Sequence, residues 1–231
     1  STIIALGFIA ALAAAVLIAP SALRADDSAD ASSPATLDAI GIDFDRAMRS
    51  PVTERAGHLA NVQASLEALI NNGIEKDRKS AAYYLSGEIQ FALGRFDAAS
   101  KSFKEAMKSD KKGPYADDAD FARILGIQAA GDDAEAEKQW RKWEDRYSKS
   151  PLVPEAILAR AWNALRRGSL KETDTHISRI EQDYPYMLED PRVVLARATA
   201  FYMRGDADQA LVTLTAVREP TAPVFYLSGL S

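Results

Sequence analysis

The sequence of 231 residues predicts an all-α fold, a solenoid of antiparallel helix pairs, and three observations carry that prediction. First, four glycines lie 37 residues apart along the chain: Gly94, Gly131, Gly168 and Gly205. A fixed period of this size is typical of helical repeat arrays. Second, each glycine separates two amphipathic stretches of roughly helical length, which we name helix A and helix B. Third, apolar residues in helix B recur at helical spacing, as in Ala99, Phe103 and Ala106.

The N-terminal segment is predicted to direct export. Residues 3–19 are all apolar or glycine, and Pro20 ends the run. As a helix this run would span roughly 25 Å, at the lower end of what crosses a bilayer. Residues 1–25 are therefore predicted to be a signal peptide cleaved after Ala25, or an uncleaved anchor. Membrane contact is expected only through residues 3–19, and only if they stay attached.

The next segments lead into the array. Residues 26–36 are mostly Asp, Ala, Ser and Pro without apolar periodicity, which predicts a disordered linker. Residues 37–78 are predicted to form a helix pair that ends at Gly73 and is either a cap or a diverged repeat.

Residues 79–231 are predicted to hold four repeats and helix A of a truncated fifth. The last six residues, Tyr226 to Ser231, begin with the same Tyr-Leu-Ser-Gly that occupies Tyr84–Gly87 in the first repeat. The chain also begins without Met. We therefore expect a fragment of a longer protein.

The first repeat resembles the tetratricopeptide repeat (TPR) family in its key positions: Tyr83, Gly87, Gly94, Ala99, Phe103 and Ala106. The resemblance covers about Ser80–Ser231 and implies a right-handed superhelix whose concave groove is lined by the A helices. Two positions depart from the family pattern, Ile124 where a small residue is usual and Thr173 where Ala is usual. These departures suggest local repacking within the same fold.

The junctions between repeats indicate a location. The period of 37 exceeds the family's usual value of about 34, and the junction Tyr147–Ala156 is similar to one found in bacterial envelope members of the family. The resemblance implies a non-catalytic scaffold in the periplasm or cell envelope, with a protein or peptide partner. Two alternatives stay open. One is the helical N-terminal region of a periplasmic enzyme, such as a lytic murein transglycosylase, and the other is a structural arm of an export or motility machine.

The groove is the predicted functional surface. The family's groove positions, carried onto this chain, predict partner contacts at Tyr84, Glu88, Phe91, Phe121, Gln128, Trp162, Arg166, Thr199 and Tyr202. Aromatic side chains are frequent anchors of interfaces. The same rings would equally suit packing between neighbouring helices, and the sequence leaves both interpretations open.

Other functions find little support in the residues. The net charge of −5 argues against nucleic acid as a partner, and the absence of Cys excludes disulfides, a lipidated cysteine and a thiol nucleophile. The two histidines, His58 and His176, lie in different units, and we expect His176 to face outward. The acidic pairs Asp117–Asp118 and Asp132–Asp133 are better explained as N-terminal helix acids than as calcium ligands. We predict no catalytic residue, no metal and no cofactor.

Overall fold

The computed structural model describes residues 36–111 and 113–215. These residues form ten α-helices and two short 3-10 helices, Lys76–Arg78 and Pro185–Met187, and contain no strand. The α-helices are α1 Leu37–Arg49, α2 Val52–Asn71, α3 Lys79–Ala92, α4 Phe96–Ser109, α5 Ala116–Ala129, α6 Asp133–Arg146, α7 Val153–Arg166, α8 Leu170–Asp183, α9 Pro191–Met203 and α10 Ala207–Leu214. The all-α prediction is therefore confirmed.

Several predicted segments lie outside the described residues. These are the signal or anchor segment 1–25, all of the linker 26–36 except Thr36, and the end of the chain from 216, where the fifth repeat is predicted. Across the part of the chain that the structure does describe, no helix combines the length and apolar character that a membrane span requires.

The described chain divides into two compact units, residues 36–130 and 131–215. In the N-terminal unit each helix packs on the next, from α1 through α5. A buried apolar cluster joins its first three helices: Leu37, Ile40, Phe44, Ala47, Leu59, Val62, Leu66, Ala82, Leu85 and Ile89. In the C-terminal unit α6 packs on α7, α7 on α8, and α9 contacts α7, α8 and α10.

The periodic glycines sit at the turns between helices A and B, as predicted. Gly94, Gly131, Gly168 and Gly205 have φ values of 72°, 94°, 71° and 84°. Residues with a Cβ seldom adopt this left-handed conformation, whereas glycine takes it without steric penalty. The 37-residue period is therefore a period of chain reversals.

The B helices bury the faces that the spacing predicted. Ala99, Phe103 and Ala106 of α4 are fully buried. Phe103 lies against Gly87 of α3, where an added Cβ would approach the ring to 2.5 Å. A small residue at this crossing lets the two helices come close, and the phenyl ring fills the space.

Acidic residues open the B helices. Asp132 caps α6 by accepting a hydrogen bond from the Glu135 amide at 3.1 Å, and Asp206 caps α10 in the same way from Gln209. Asp133 and Asp208 lie in the first turns of these two helices, where carboxylates suit the helix dipole. The predicted N-terminal position of Asp132 and Asp133 is confirmed, and Asp117 and Asp118 likewise lie in the first turn of α5.

Candidate functional site

The nine predicted groove residues all lie on A helices. They are Tyr84, Glu88 and Phe91 on α3, Phe121 and Gln128 on α5, Trp162 and Arg166 on α7, and Thr199 and Tyr202 on α9. Within each helix they are three, four or seven residues apart, so they share one helical face.

Most of these side chains are buried. Seven of the nine are covered in the folded chain, and the remaining two, Arg166 and Tyr202, are half-buried. Four of the five aromatic residues are among the covered ones. Large aromatic rings removed from water contribute packing energy to the fold. Of the aromatic anchors that the sequence suggested, Tyr202 is the one with substantial exposure.

Ring contacts inside the N-terminal unit account for two of the buried aromatics. The Tyr84 ring centroid lies 5.6 Å from that of Phe103 and 5.6 Å from that of Tyr115, and the planes of the Tyr84 and Tyr115 rings are inclined by 29°. Phe91 meets Phe96 edge to face at 5.2 Å. For Tyr84 and Phe91 the packing interpretation therefore has direct support.

Glu88 is the most unusual of the predicted residues. Its carboxyl group is 1% exposed, and its Oε1 atom has no hydrogen-bond partner among the described residues. Burial raises the pKa of Glu88 to about 8, although a hydrogen bond with Tyr84 opposes the shift; Asp118 and Asp45 raise the pKa further by their negative charge. Glu88 is consequently protonated at neutral pH, because an isolated carboxylate is unstable in a dry environment.

The neighbours of Glu88 have perturbed pKa values of the same kind. Burial, and then the charge of Asp117, raise the pKa of Asp118 to about 6. Burial also raises the pKa of Tyr115, while the charge of Arg78 lowers it. The cluster is therefore acidic and partly desolvated, and Arg78, whose charge acts on Tyr115, pairs with Asp38.

In the C-terminal unit the predicted residues make simpler contacts. Arg166 lies 3.3 Å from the Asp133 carboxylate, where burial raises the pKa of Asp133 and the arginine charge lowers it. The Thr199 hydroxyl donates to the Leu195 carbonyl at 2.7 Å, so its hydrogen is used within its own helix. Arg166 and Tyr202 are left as the partly exposed polar residues of this set.

A buried ionic network in the C-terminal unit was not predicted. Arg160 of α7 donates to Glu137 at 2.7 Å and to Glu144 at 2.6 Å, both on α6. Arg179 of α8 donates to Glu144 at 3.1 Å, and Arg141 donates to Glu137 at 2.9 Å. Burial raises the pKa of Glu137, but the two arginines outweigh it and the net shift is downward. The network ties three helices together.

His176 lies beside this network, and the expectation that it faces outward was wrong. Its side chain is buried, with 7% exposure. Burial, and then the positive charge of Arg160, lower the pKa of His176 to about 4, so its imidazole is neutral at neutral pH. The outward assignment failed because α8 also packs on α9, so a wider part of its surface is covered than one apolar stripe implies.

A signal for the network is visible in the sequence. Arg160 interrupts an otherwise apolar stretch of α7 between Ala156 and Ala161. An arginine in such a position is buried only if it is paired. The carboxylates that pair with it come from the preceding helix B, which sequence spacing alone does not identify.

The described part of the chain contains no candidate metal-binding site. No group of three or more His, Asp or Glu side chains there has a metal-binding arrangement. Asp120, one of the acids near the start of α5, forms an ion pair with Arg123 at 2.6 Å. The Asp120 carboxylate is therefore already paired with a cation of its own helix.

Comparison with solved structures identifies the fold. A tetratricopeptide repeat protein from Parabacteroides merdae superimposes with a TM-score of 0.63 at 19% identity, over 86% of this chain and 73% of that one. YrrB, described as a TPR protein with an unusual peptide-binding site, gives 0.52 at 11% identity, over 84% of this chain and all (100%) of that one. Yeast Tom70 gives 0.48 at 14% identity, over 84% and 46% of the two chains. No protein-family model and no curated protein matches the sequence. The first two likenesses show that this chain has the TPR fold.

Proposed function

We propose that this chain is a non-catalytic scaffold that binds a protein or peptide partner on its A-helix side, in the bacterial periplasm or cell envelope. The observation that carries the proposal is the fold itself, repeated antiparallel helix pairs that resemble solved TPR proteins. One of those proteins is described as having a peptide-binding site. Repeat arrays offer extended surfaces made of equivalent helices, which suits an elongated partner.

Within the C-terminal unit the proposed contact surface centres on the ends of α7 and α9. The antiparallel α8 separates these two helices along the chain, so they run in the same direction and end on the same side of the unit. Arg166 lies at the last residue of α7, and Tyr202 and Met203 lie at the end of α9. All three keep some exposure, and Met203 is 45% exposed. Arginine and tyrosine are the residue types that most often dominate binding energy.

The proposed location rests on the N-terminal segment. Residues 3–19 are apolar and are followed by Pro20 and the sequence Leu23-Arg24-Ala25, a pattern typical of exported proteins. A scaffold without cysteine folds equally well in an oxidising compartment, because it has no thiol to oxidise. Mass measurement of the mature N-terminus after expression would test export, and an unprocessed cytosolic product would contradict it.

Variants of the exposed residues test the binding surface. Partners are captured from an envelope fraction with the full chain and quantified by mass spectrometry. Tyr202→Ala and Arg166→Ala should each reduce recovery of the specific partner by about tenfold or more, the effect of losing an interface anchor. Lys171→Ala, an exposed change on helix B, is the matched control and should leave recovery unchanged. Equal recovery with all three variants, each as helical as the parent by circular dichroism, would refute the proposed surface.

A further inference from the structure

The connection between α2 and α3 contains an asparagine that is directly followed by a glycine. Asn72 is the C-cap residue of α2, and Gly73 follows it with a φ of 98°. Both residues are exposed. Asparagine and glycine are common in turns because both tolerate unusual backbone angles. The pair also brings the side-chain amide of Asn72 next to the backbone nitrogen of Gly73, at the separation that closes a five-membered ring.

The fold gives these two groups little protection. Among the described residues, none forms a hydrogen bond with the Asn72 side chain. The Gly73 N–H donates to the Ile70 carbonyl at 3.3 Å, slightly beyond the usual length of such a bond. A Cβ added at Gly73 would meet nothing within 4 Å, so the space on that side of the glycine is open.

Ring closure requires a local movement at the end of α2. Asn72 has a ψ of −7°, and this angle has to rotate before the Gly73 nitrogen can reach the side-chain carbonyl carbon. The hydrogen bond that this rotation breaks is the long one from Gly73 to Ile70. Glycine can absorb the accompanying change in chain direction, because its backbone angles are the least restricted. Helix ends open with free energies near zero, far below the cost of unfolding the chain.

We propose that Asn72 is a site of spontaneous deamidation in the folded protein, with water as the co-reactant and ammonia as the leaving group. The Gly73 nitrogen loses its proton and bonds to Cγ of Asn72. The bond between Cγ and the side-chain nitrogen then breaks, and that nitrogen takes up the proton and leaves as ammonia. Water adds to one of the two carbonyls of the resulting cyclic imide and opens the ring. One direction of opening gives aspartate, and the other gives isoaspartate, in which the main chain runs through Cβ and Cγ.

Either product changes the end of α2. A carboxylate replaces a neutral amide at the C-terminal end of the helix, where a negative charge opposes the helix dipole. The last turn of α2 holds no basic residue that would compensate this charge. Isoaspartate also lengthens the chain between Ile70 and Ile74, which both pack against the buried apolar cluster of the first three helices. We therefore expect the modified protein to hold the connection between α2 and α3 less firmly.

Incubation of the full chain at pH 8 tests the site, with peptide mass spectrometry following each of its four asparagines. Asn163 is the buried control, since it is 0% exposed and its amide donates to the Asp133 carbonyl at 2.9 Å. Asn61 is the exposed control, because it lies within α2 and precedes a branched valine instead of a glycine. We expect conversion of Asn72 before any measurable conversion of the other three. The same incubation in guanidinium chloride gives the rate of the unfolded chain, and the folded rate should lie within about a hundredfold of it because only the helix end has to open.

Two variants separate the reaction from its consequence. Asn72→Gln would have to close a larger ring, so the conversion at this position should disappear. Asn72→Asp copies one product, and hydrogen exchange in the last turn of α2 should be about two- to fivefold faster than in the parent, the factor for an unfavourable charge at a helix end. The inference is overturned if folded Asn72 reacts more than a hundredfold slower than in the unfolded chain, or no faster than Asn61 or Asn163. Unchanged exchange in Asn72→Asp would overturn the expected loosening of α2.

Discussion

Replacement of Arg160 by leucine tests whether the ionic network of the C-terminal unit holds its helices together. The Arg160 side chain is 11% exposed and the Glu137 side chain 8% exposed. In Arg160→Leu the leucine suits the apolar surroundings of α7, but Glu137 loses its buried partner and keeps only Arg141, whose side chain is 64% exposed. The substitution therefore leaves the buried Glu137 carboxylate with only one, largely exposed, positively charged partner.

The expected magnitude follows from that geometry. Removing one partner of a buried ion pair costs about 3–5 kcal/mol in the free energy of unfolding. Glu144 keeps Arg179 at 3.1 Å and Glu137 keeps Arg141 at 2.9 Å, which places the expected loss near the lower end, about 3 kcal/mol. A change that removes both buried charges, Arg160→Leu with Glu137→Leu, should recover a large part of this loss because apolar replacements of a buried pair are often neutral.

Urea denaturation followed by circular dichroism measures these differences. Arg141→Leu is the matched control, since it removes an exposed partner of the same carboxylate and should cost less than about 1 kcal/mol. The reasoning is refuted if Arg160→Leu costs no more than this control.

The pH dependence gives a second readout of the same network. The pKa of Glu137 is lowered in the folded chain, so the stability it contributes is present above its unfolded pKa and is lost as the pH falls. The gap between the parent and Arg160→Leu should therefore be widest near neutral pH and should narrow on acidification. A gap that stays constant down to pH 4 would contradict the assignment of Glu137 as the affected group.

Two further predictions concern Glu88 and the glycines. Because the folded pKa of Glu88 is raised to about 8, its stabilising effect is complete below the unfolded value and is lost as the pH rises through 8. Between pH 5 and pH 8 the parent should lose about 3 kcal/mol more than Glu88→Gln in urea denaturation, and equal losses would contradict the buried acid. Gly131→Ala should destabilise by about 1–2 kcal/mol, because Gly131 has a φ of 94°. Gly57→Ala should stabilise by about 0.5–1 kcal/mol, since Gly57 lies inside α2 with nothing within 4 Å of an added Cβ. Thermal melting compares the two alanine variants directly, and shifts of the same sign would be inconsistent with the turn assignment.

The helices and turns could be predicted from the sequence because local physics determines them. A glycine with positive φ marks each reversal, and the spacing of Ala99, Phe103 and Ala106 marks the buried face of α4. The contact of Phe103 with Gly87 depends on residue size, since a small residue at a crossing leaves room for a ring. These features require only neighbouring residues or one repeat's own helices.

The candidate site was harder to predict because burial depends on several helices at once. Tyr84 and Phe91 occupy groove positions of the family pattern, yet their rings pack against other rings of the N-terminal unit. His176 is buried although it directly follows two exposed polar residues, Asp174 and Thr175. Arg160 was visible as an isolated charge in an apolar helix, but its partners on α6 become apparent only when the two helices are packed together.

Site-specific photo-crosslinking tests the central claim, that a partner binds the A-helix side. A photoreactive phenylalanine analogue is placed singly at Arg166 or Tyr202 on A helices, and at Lys142 or Lys171 on B helices. Both sets of positions have side chains that are at least partly exposed, so any difference reports the preferred face. The account predicts a discrete partner adduct from the two A-helix positions and none from the B-helix positions. Adducts that form equally from both sets, or only from the B helices, would contradict it.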